Sequence, residues 1–447
     1  MRLFLSFLVM FAGLMSQAWA GDLINQYLPS TLKMDVEYRY RLEYKNNFDF
    51  DKGKDDTDTY NLFRTRVSLK YSPTFVKGLS FFVQGQDSRV SNLSTGTKTL
   101  MRNLWDIRQL YARFEKEVLV EPIGLNKVSF QAGRQEFAYG AERLIGGFNW
   151  SNVAQTFDGG KASFHVSLWH TQVDIFAGDK TSFRTPQQPG ANEFYTAASK
   201  DRVYGYYSMS KAFHETLIDN YLIHRQTWKN ISFGPSGSGE VDDYTFGGRL
   251  KKKFANGIDY EVEAAGQWGN FRDKAVRAMM AVGIIGYTFD YWKWQPRFGF
   301  EFDYGSGDSN PNDNKMTTFD NLFPTNHPHY GYMDLMSLQN INDYRYTFSM
   351  KPMKKLKVQA DLHMLYLDTP KDSLYSAART VTRTAAAGSS NVSDHVGNEI
   401  DLSGDYKLNN YVAFQAGYCR LFPGGYLKDT GANNDADYVY FQTTISF

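Results

Sequence analysis

Between Asp35 and Tyr44 the chain runs Asp-Val-Glu-Tyr-Arg-Tyr-Arg-Leu-Glu-Tyr, an unbroken alternation of charged with apolar or aromatic positions. A period of two places Asp35, Glu37, Arg39, Arg41 and Glu43 on one face of a strand and Val36, Tyr38, Tyr40, Leu42 and Tyr44 on the other. A soluble sandwich also alternates, but its wet face usually mixes Thr, Ser and Lys. Five successive ionised positions opposite aromatics fit a strand with a confined aqueous lumen on one side and lipid on the other.

Composition enters as a test of that reading. A mean hydropathy of -0.48 is too polar for a helical membrane protein, while 30 Tyr and 34 Phe in 447 residues exceed the needs of a soluble core. A membrane β-barrel satisfies both, because only alternate residues touch lipid. The formal charge of +1 gives no field that would recruit nucleic acid. Cys419 is the single cysteine, so no intramolecular disulfide can form.

A basic Arg2, an apolar run from Leu3 to Met15 and Ala18-Trp19-Ala20 describe a secretory leader, expected to be cleaved after residue 20. The apolar run falls short of the roughly 20 residues of a spanning helix. Residues 21–447 are then expected to form a single all-β domain, a transmembrane antiparallel up-and-down barrel of about 18 strands with periplasmic termini. Strands are expected near 35–44, 60–71, 79–90, 107–115, 127–139, 157–164, 168–176, 201–210, 217–226, 244–252, 258–269, 277–289, 296–304, 344–351, 357–367, 398–406, 411–422 and 438–447. Connections after even strands are short, as at 212–216, 254–257 and 407–410. The long ones, at 177–200, 305–343 and 368–397, all follow odd strands and are expected outside the cell. The last strand sets Val439, Phe441, Thr443, Ile445 and Phe447 outward and ends on that aromatic, a signal suited to the barrel insertion machinery.

Three groups of motifs carry a family resemblance. The first is Gly133-Arg134-Gln135-Glu136-Phe137-Ala138-Tyr139-Gly140 with Arg143-Leu144-Ile145-Gly146, Trp150-Ser151-Asn152 and Phe157-Asp158-Gly159. The second is Gly305-Ser306-Gly307-Asp308 with Phe319-Asp320-Asn321-Leu322-Phe323-Pro324, His327, Tyr330-Gly331 and Asp334. The third is Val396-Gly397-Asn398-Glu399-Ile400-Asp401 with Phe422-Pro423-Gly424-Gly425-Tyr426. In order and spacing they resemble the alginate export family over nearly the whole mature chain. The resemblance implies an 18-stranded outer-membrane barrel through which an anionic exopolysaccharide leaves the cell.

Candidate pore-lining residues follow from the strand faces: Arg39, Arg41, Arg64, Arg66, Arg113, Arg249, Arg297 and Arg345, with Arg134 added from the family motif. The planar donor fork of arginine binds carboxylates without losing its charge, and many weak equivalent sites let a uronate chain slide. The competing role for each is to pair with wall acids. Those acids, Glu301 and Asp303 with Glu261, Glu263, Asp343, Asp361, Glu399, Asp401 and Asp405, crowd the second half, so one wall is expected to be cationic and the other anionic. Loop 305–343, rich in aromatics and amides, is the expected gate.

Other constellations are weaker. His327-Pro328-His329 is expected in a solvent-exposed turn rather than on a metal. His224 and His363 lack an accompanying G-x-S-x-G, and no Walker or dinucleotide motif appears, so neither catalysis nor a cofactor is expected. The expected function is passive export of a polysaccharide, probed against two others: a porin taking up small anions or sugars, and an enzyme or adhesin on a barrel scaffold. Expected partners are outer-membrane lipid and lipopolysaccharide, the polysaccharide itself and periplasmic secretion proteins.

Overall fold

Residues Glu37–Asn46 of the first strand pair antiparallel with Asp437–Ser446 of the last, which leaves the sheet without an edge. The computed structural model describes residues 24–94, 100–167, 170–182, 198–213, 215–386 and 391–447. The expected leader and the heart of the expected 177–200 loop lie outside them.

Among the described residues 18 strands form the wall. They are β1 (Leu32–Asn46), β2 (Asp58–Tyr71), β3 (Leu79–Ser91), β4 (Asn103–Val120), β5 (Leu125–Gln135) and β6 (Phe157–Val166). Next come β7 (Thr171–Thr181), β8 (Ala198–Phe213), β9 (Thr216–Ser232), β10 (Ser238–Lys253), β11 (Ile258–Phe271) and β12 (Lys274–Thr288). The ring continues through β13 (Arg297–Gly305), β14 (Ile341–Met353), β15 (Leu356–Tyr366), β16 (His395–Lys407), β17 (Val412–Pro423) and β18 (Ala436–Ser446). A short helix, α1 (Gly425–Thr430), follows β17. Each wall strand pairs antiparallel with its neighbours in sequence.

The alternation that opens the chain has its physical outcome in this wall. Arg39, Arg41 and Glu43 are buried inside, while Phe114, Phe130, Ile175, Phe246, Phe298, Tyr346 and Phe441 stand exposed on the outward face. Several strands outrun their expected bounds. β4 covers 18 residues and β9 17, beyond the roughly 9 to 11 that hydrocarbon requires, so the wall extends past an apolar band. Short turns such as 121–124, 254–257 and 408–411 gather at the end that also holds both described termini. The long connections gather at the other end, where the turns 233–237 and 272–273 are short exceptions.

The core lies within the barrel. Loops 136–156 and 306–340 fold inward and zip together: Gly146 N donates to Phe323 O (2.9 Å), Phe323 N to Leu144 O (2.8 Å), and Gln155 Nε2 reaches both Gly146 O and Phe323 O. Phe137, Leu144, Ile145, Phe319, Leu322 and Phe323 from these loops pack against inward wall residues such as Phe157, Phe176 and Ile223. A third segment, 367–394, adds a small hairpin of Ser373–Tyr375 and Val381–Thr384. Together these loops form a plug.

Candidate functional site: an arginine wall and a plugged lumen

On β1 and β2, Arg39, Arg41, Arg64 and Arg66 point inward by alternation, and β4 adds Arg108 by breaking it. Gln84 pairs with Gln109 but Gly85 with Ile107, so Arg108 is an extra residue in a bulge that turns its side chain into the lumen. There it pairs with Glu136 and reaches Gln84 Oε1 (2.8 Å). The other carboxylates that pair with this group are Glu37, with Arg64 (2.8 Å), and Glu43, with Arg41 (2.7 Å). Five guanidiniums therefore share three glutamate partners among the described residues.

The remaining donors go to the plug. Arg39 Nη1 and Arg64 Nη1 both donate to Asn149 O at 2.8 Å, and Arg39 Nη2 (3.0 Å) and Arg64 Nη1 (3.1 Å) to Ser151 O. Arg41 Nη1 takes Trp150 O (2.8 Å), Ser88 Oγ takes Asn152 O (2.8 Å) and Gln86 Nε2 takes Val153 O (2.7 Å). Five consecutive plug carbonyls thus accept from the wall. The Arg41 guanidinium also lies 3.9 Å from the centre of the Trp150 ring, whose ring stacks on His327 (3.8 Å) and through it on Tyr332 (4.8 Å). Arg66 differs from its neighbours. It bonds Gln86 Oε1 (2.6 Å), its buried Nη2 has no partner among the described residues, and it lines a cavity of about 440 Å³ that opens toward the short-turn end and is also lined by Asp35, Glu37, Ser68 and Gln84.

The opposite wall is acidic, and cations from both the plug and the wall join the two. Arg143, fully buried, pairs with Glu261 (2.7 Å), Glu263 (3.0 Å) and Glu301 (3.3 Å). Arg345 joins Glu301 (3.4 Å) to Asp361 (2.9 Å) and donates to Pro328 O (3.0 Å). Asp320 of the plug lies between Arg225 (2.5 Å) and Arg379 (2.6 Å); burial opposes its ionisation, but these two cations hold its carboxyl well below the usual range. On β16, Glu399 and Asp401 accept Met333 N (2.9 Å) and Tyr332 N (3.0 Å). Gly331 makes that approach feasible. Its φ is +90°, and a Cβ there would sit 2.5 Å from the Glu399 carboxylate.

The expected site residues divide accordingly. Arg39, Arg41, Arg64, Arg66, Arg249 and Arg345 lie in the lumen at the level of the plug. Arg249 is taken up by Asp219 (2.7 Å) and Glu261 (3.5 Å). Arg113 and Arg297 face inward near the short-turn end, paired with Glu115 (2.7 Å) and Asp259 (2.6 Å). Glu301 and Asp303 are buried in β13, and neither Asp303 oxygen has a partner among the described residues.

Arg134 requires a correction. Its register neighbour Gln135 pairs with Phe157, which packs inside against Phe323, so Arg134 and its partner Asp158 (2.7 Å) stand on the outward face. His327 and His329 also differ from expectation. His327 is buried in the ring stack, and burial together with Arg143 depresses His329 well below its ordinary value, leaving a neutral ring whose Nε2 donates to Ala141 O (2.8 Å). His224 lies on the outward face between Tyr204 and Tyr244, whereas His363 is in the acidic wall on Asp343 (2.6 Å). Strand alternation did not identify Arg108 or Arg143, one displaced by a bulge and the other carried on a loop.

The family model for alginate export matches residues 30–441. The chain belongs to the alginate export family. The motifs on which the resemblance rests are mainly the two plug loops and the β16 residues that seat them. Solved structures agree on the architecture. Pseudomonas aeruginosa OccK8 (OprE) is 10% identical with a TM-score of 0.58 over 93% of this chain and 98% of that one. Acinetobacter baumannii OccAB3 is 11% identical with a TM-score of 0.57 over 94% and 100%. Pseudomonas aeruginosa OccK2 (OpdF) in complex with glucuronate is 11% identical with a TM-score of 0.56 over 93% and 98%. No curated protein is similar enough in sequence to count as a relative. This family member is an outer-membrane β-barrel channel, a family and fold of membrane channels rather than enzymes.

Proposed function

We propose that the channel passes an anionic polysaccharide out of the cell, with uronate carboxylates read by the arginine wall. The observation that carries this reading is the cationic excess at Arg39, Arg41, Arg64, Arg66 and Arg108, where guanidiniums spend donors on neutral carbonyls and buried nitrogens of Arg39, Arg66 and Arg108 have no acceptor among the described residues. A carboxylate is the stronger acceptor for such donors. Family membership supports export, and the short-turn end, with its termini, would then face the periplasm and any secretion proteins there. The outward face would meet lipid and lipopolysaccharide, and insertion would use the terminal strand.

A second reading has its own support: loops cross the lumen, and one barrel of similar fold was solved with glucuronate, so uptake of small uronates is the alternative. Deleting the channel separates the two. Export expects uronate polymer to accumulate in the periplasm with unchanged uptake of monomer. Slower monomer entry without trapped polymer would replace export by uptake.

A further inference from the structure

The backbone of residues 149–153 occupies the arginine site as a ligand would. Every carbonyl from Asn149 to Val153 accepts a hydrogen bond from the wall, and those of Asn149, Trp150 and Ser151 receive them from Arg39, Arg41 and Arg64. Neutral oxygens here satisfy cationic donors, and an ionised oxygen satisfies them better. The segment is also tied by side chains: Asn152 Nδ2 lies within hydrogen-bond distance of Phe63 O (3.1 Å), Arg89 O (3.1 Å) and Met101 O (2.9 Å). These bonds hold a plug across the lumen from β1 and β2, while Arg143 holds it from β11 and β13.

We propose that residues 149–153 are an internal stand-in for the polyuronate, and that an arriving uronate chain displaces them by competing for Arg39 and Arg64. The inference rests on the uronate reading above and adds its regulation. The site is asymmetric. Arg66 stands one inward position nearer the short-turn end than Arg64, donates to Gln86 rather than to a plug carbonyl, and lines the cavity of about 440 Å³ that opens at that end. A carboxylate entering there engages Arg66 without breaking any plug bond, and the next residue of the chain meets the contested pair Arg64 and Arg39. Neutral glycans lack the charge needed for the exchange and leave the plug seated.

The test uses the full barrel reconstituted in liposomes, with Cys419→Ala and Val153→Cys providing a single thiol at a position buried behind the contested carbonyls. The rate of maleimide labelling is measured with oligogalacturonate, with a neutral glucan oligomer of equal length, and with neither. The expected result is labelling about tenfold faster with the uronate alone, the population shift that a displaced plug requires. In the Arg64→Gln background, labelling without any glycan should already be faster. Hydrogen exchange at Val153 and Ala154 in the protein with its own residues gives the same readout should the cysteine variant not fold. An unchanged rate while oligogalacturonate still blocks conductance would overturn displacement and leave the uronate channel standing. Absence of both block and labelling change would remove the uronate reading and this inference with it.

Discussion

At the scale of the residue, charge that looks alike in the sequence does unlike work. Arg143 is buried against three glutamates, so Arg143→Gln leaves Glu263 without a cation among the described residues and takes one of their cations from Glu261 and Glu301, at a cost of about 3–5 kcal/mol to the seated plug. Single-channel recording is expected to show higher, more cation-selective conductance; an unchanged channel would mean that these glutamates do not need Arg143. Arg66→Gln should weaken uronate block with a smaller change in basal conductance than Arg143→Gln, because Arg66 reaches the plug only through Gln86. Which arginines face the lumen was legible on β1 and β2, where alternation is unbroken. It was not legible at Arg108, because a bulge is a property of the pairing of two strands, nor at Arg134, whose face is set by the inward packing of Phe157.

Elements show where sequence periodicity stops informing. The strands were placed because each writes its own period of two, but their extensions beyond the apolar band carry no lipid contrast, which is why β4 and β9 were read short. Loops have no period at all, and the inward course of 136–156 and 306–340 is decided by contacts far apart in sequence. Gly331→Ala is expected to loosen the second of these by about 1–3 kcal/mol through a left-handed φ and a Cβ against Glu399, seen as faster hydrogen exchange at Tyr332 and Met333.

Asp372 ties two plug segments by accepting Asp308 N (3.0 Å) and Thr318 Oγ1 (2.5 Å), and burial pushes its carboxyl up to about 6. A carboxyl raised above its unfolded value near 3.8 contributes stability that is present below pH 4 and lost as pH rises through about 6. Amide protection at Asp308 and Ser373, corrected for the intrinsic pH dependence of exchange, should therefore be greater at pH 5 than at pH 7.5. Asp372→Asn should abolish the difference, and persistence of the difference in that variant would assign it to another group.

For the whole molecule, the closed ring of strands fixes where every charge stands, and the charges sort into a basic wall on β1, β2 and β4 and an acidic wall from β11 to β16 bridged by the plug. That separation was visible in the sequence as a drift from Arg to Asp and Glu along the chain, because an up-and-down barrel maps chain order onto angle around the pore. Of what crosses the lumen, loop 305–343 was marked by its aromatics and amides, while the inward course of 136–156 was hidden. The central claim is that this pore recognises uronate carboxylates, and bilayer recording of the purified barrel tests it most directly. The expected result is anion selectivity with block by oligogalacturonate that weakens about tenfold in the Arg64→Gln, Arg66→Gln double variant and is absent with neutral glucan. A cation-selective pore, or equal block by charged and neutral glycans, would contradict it.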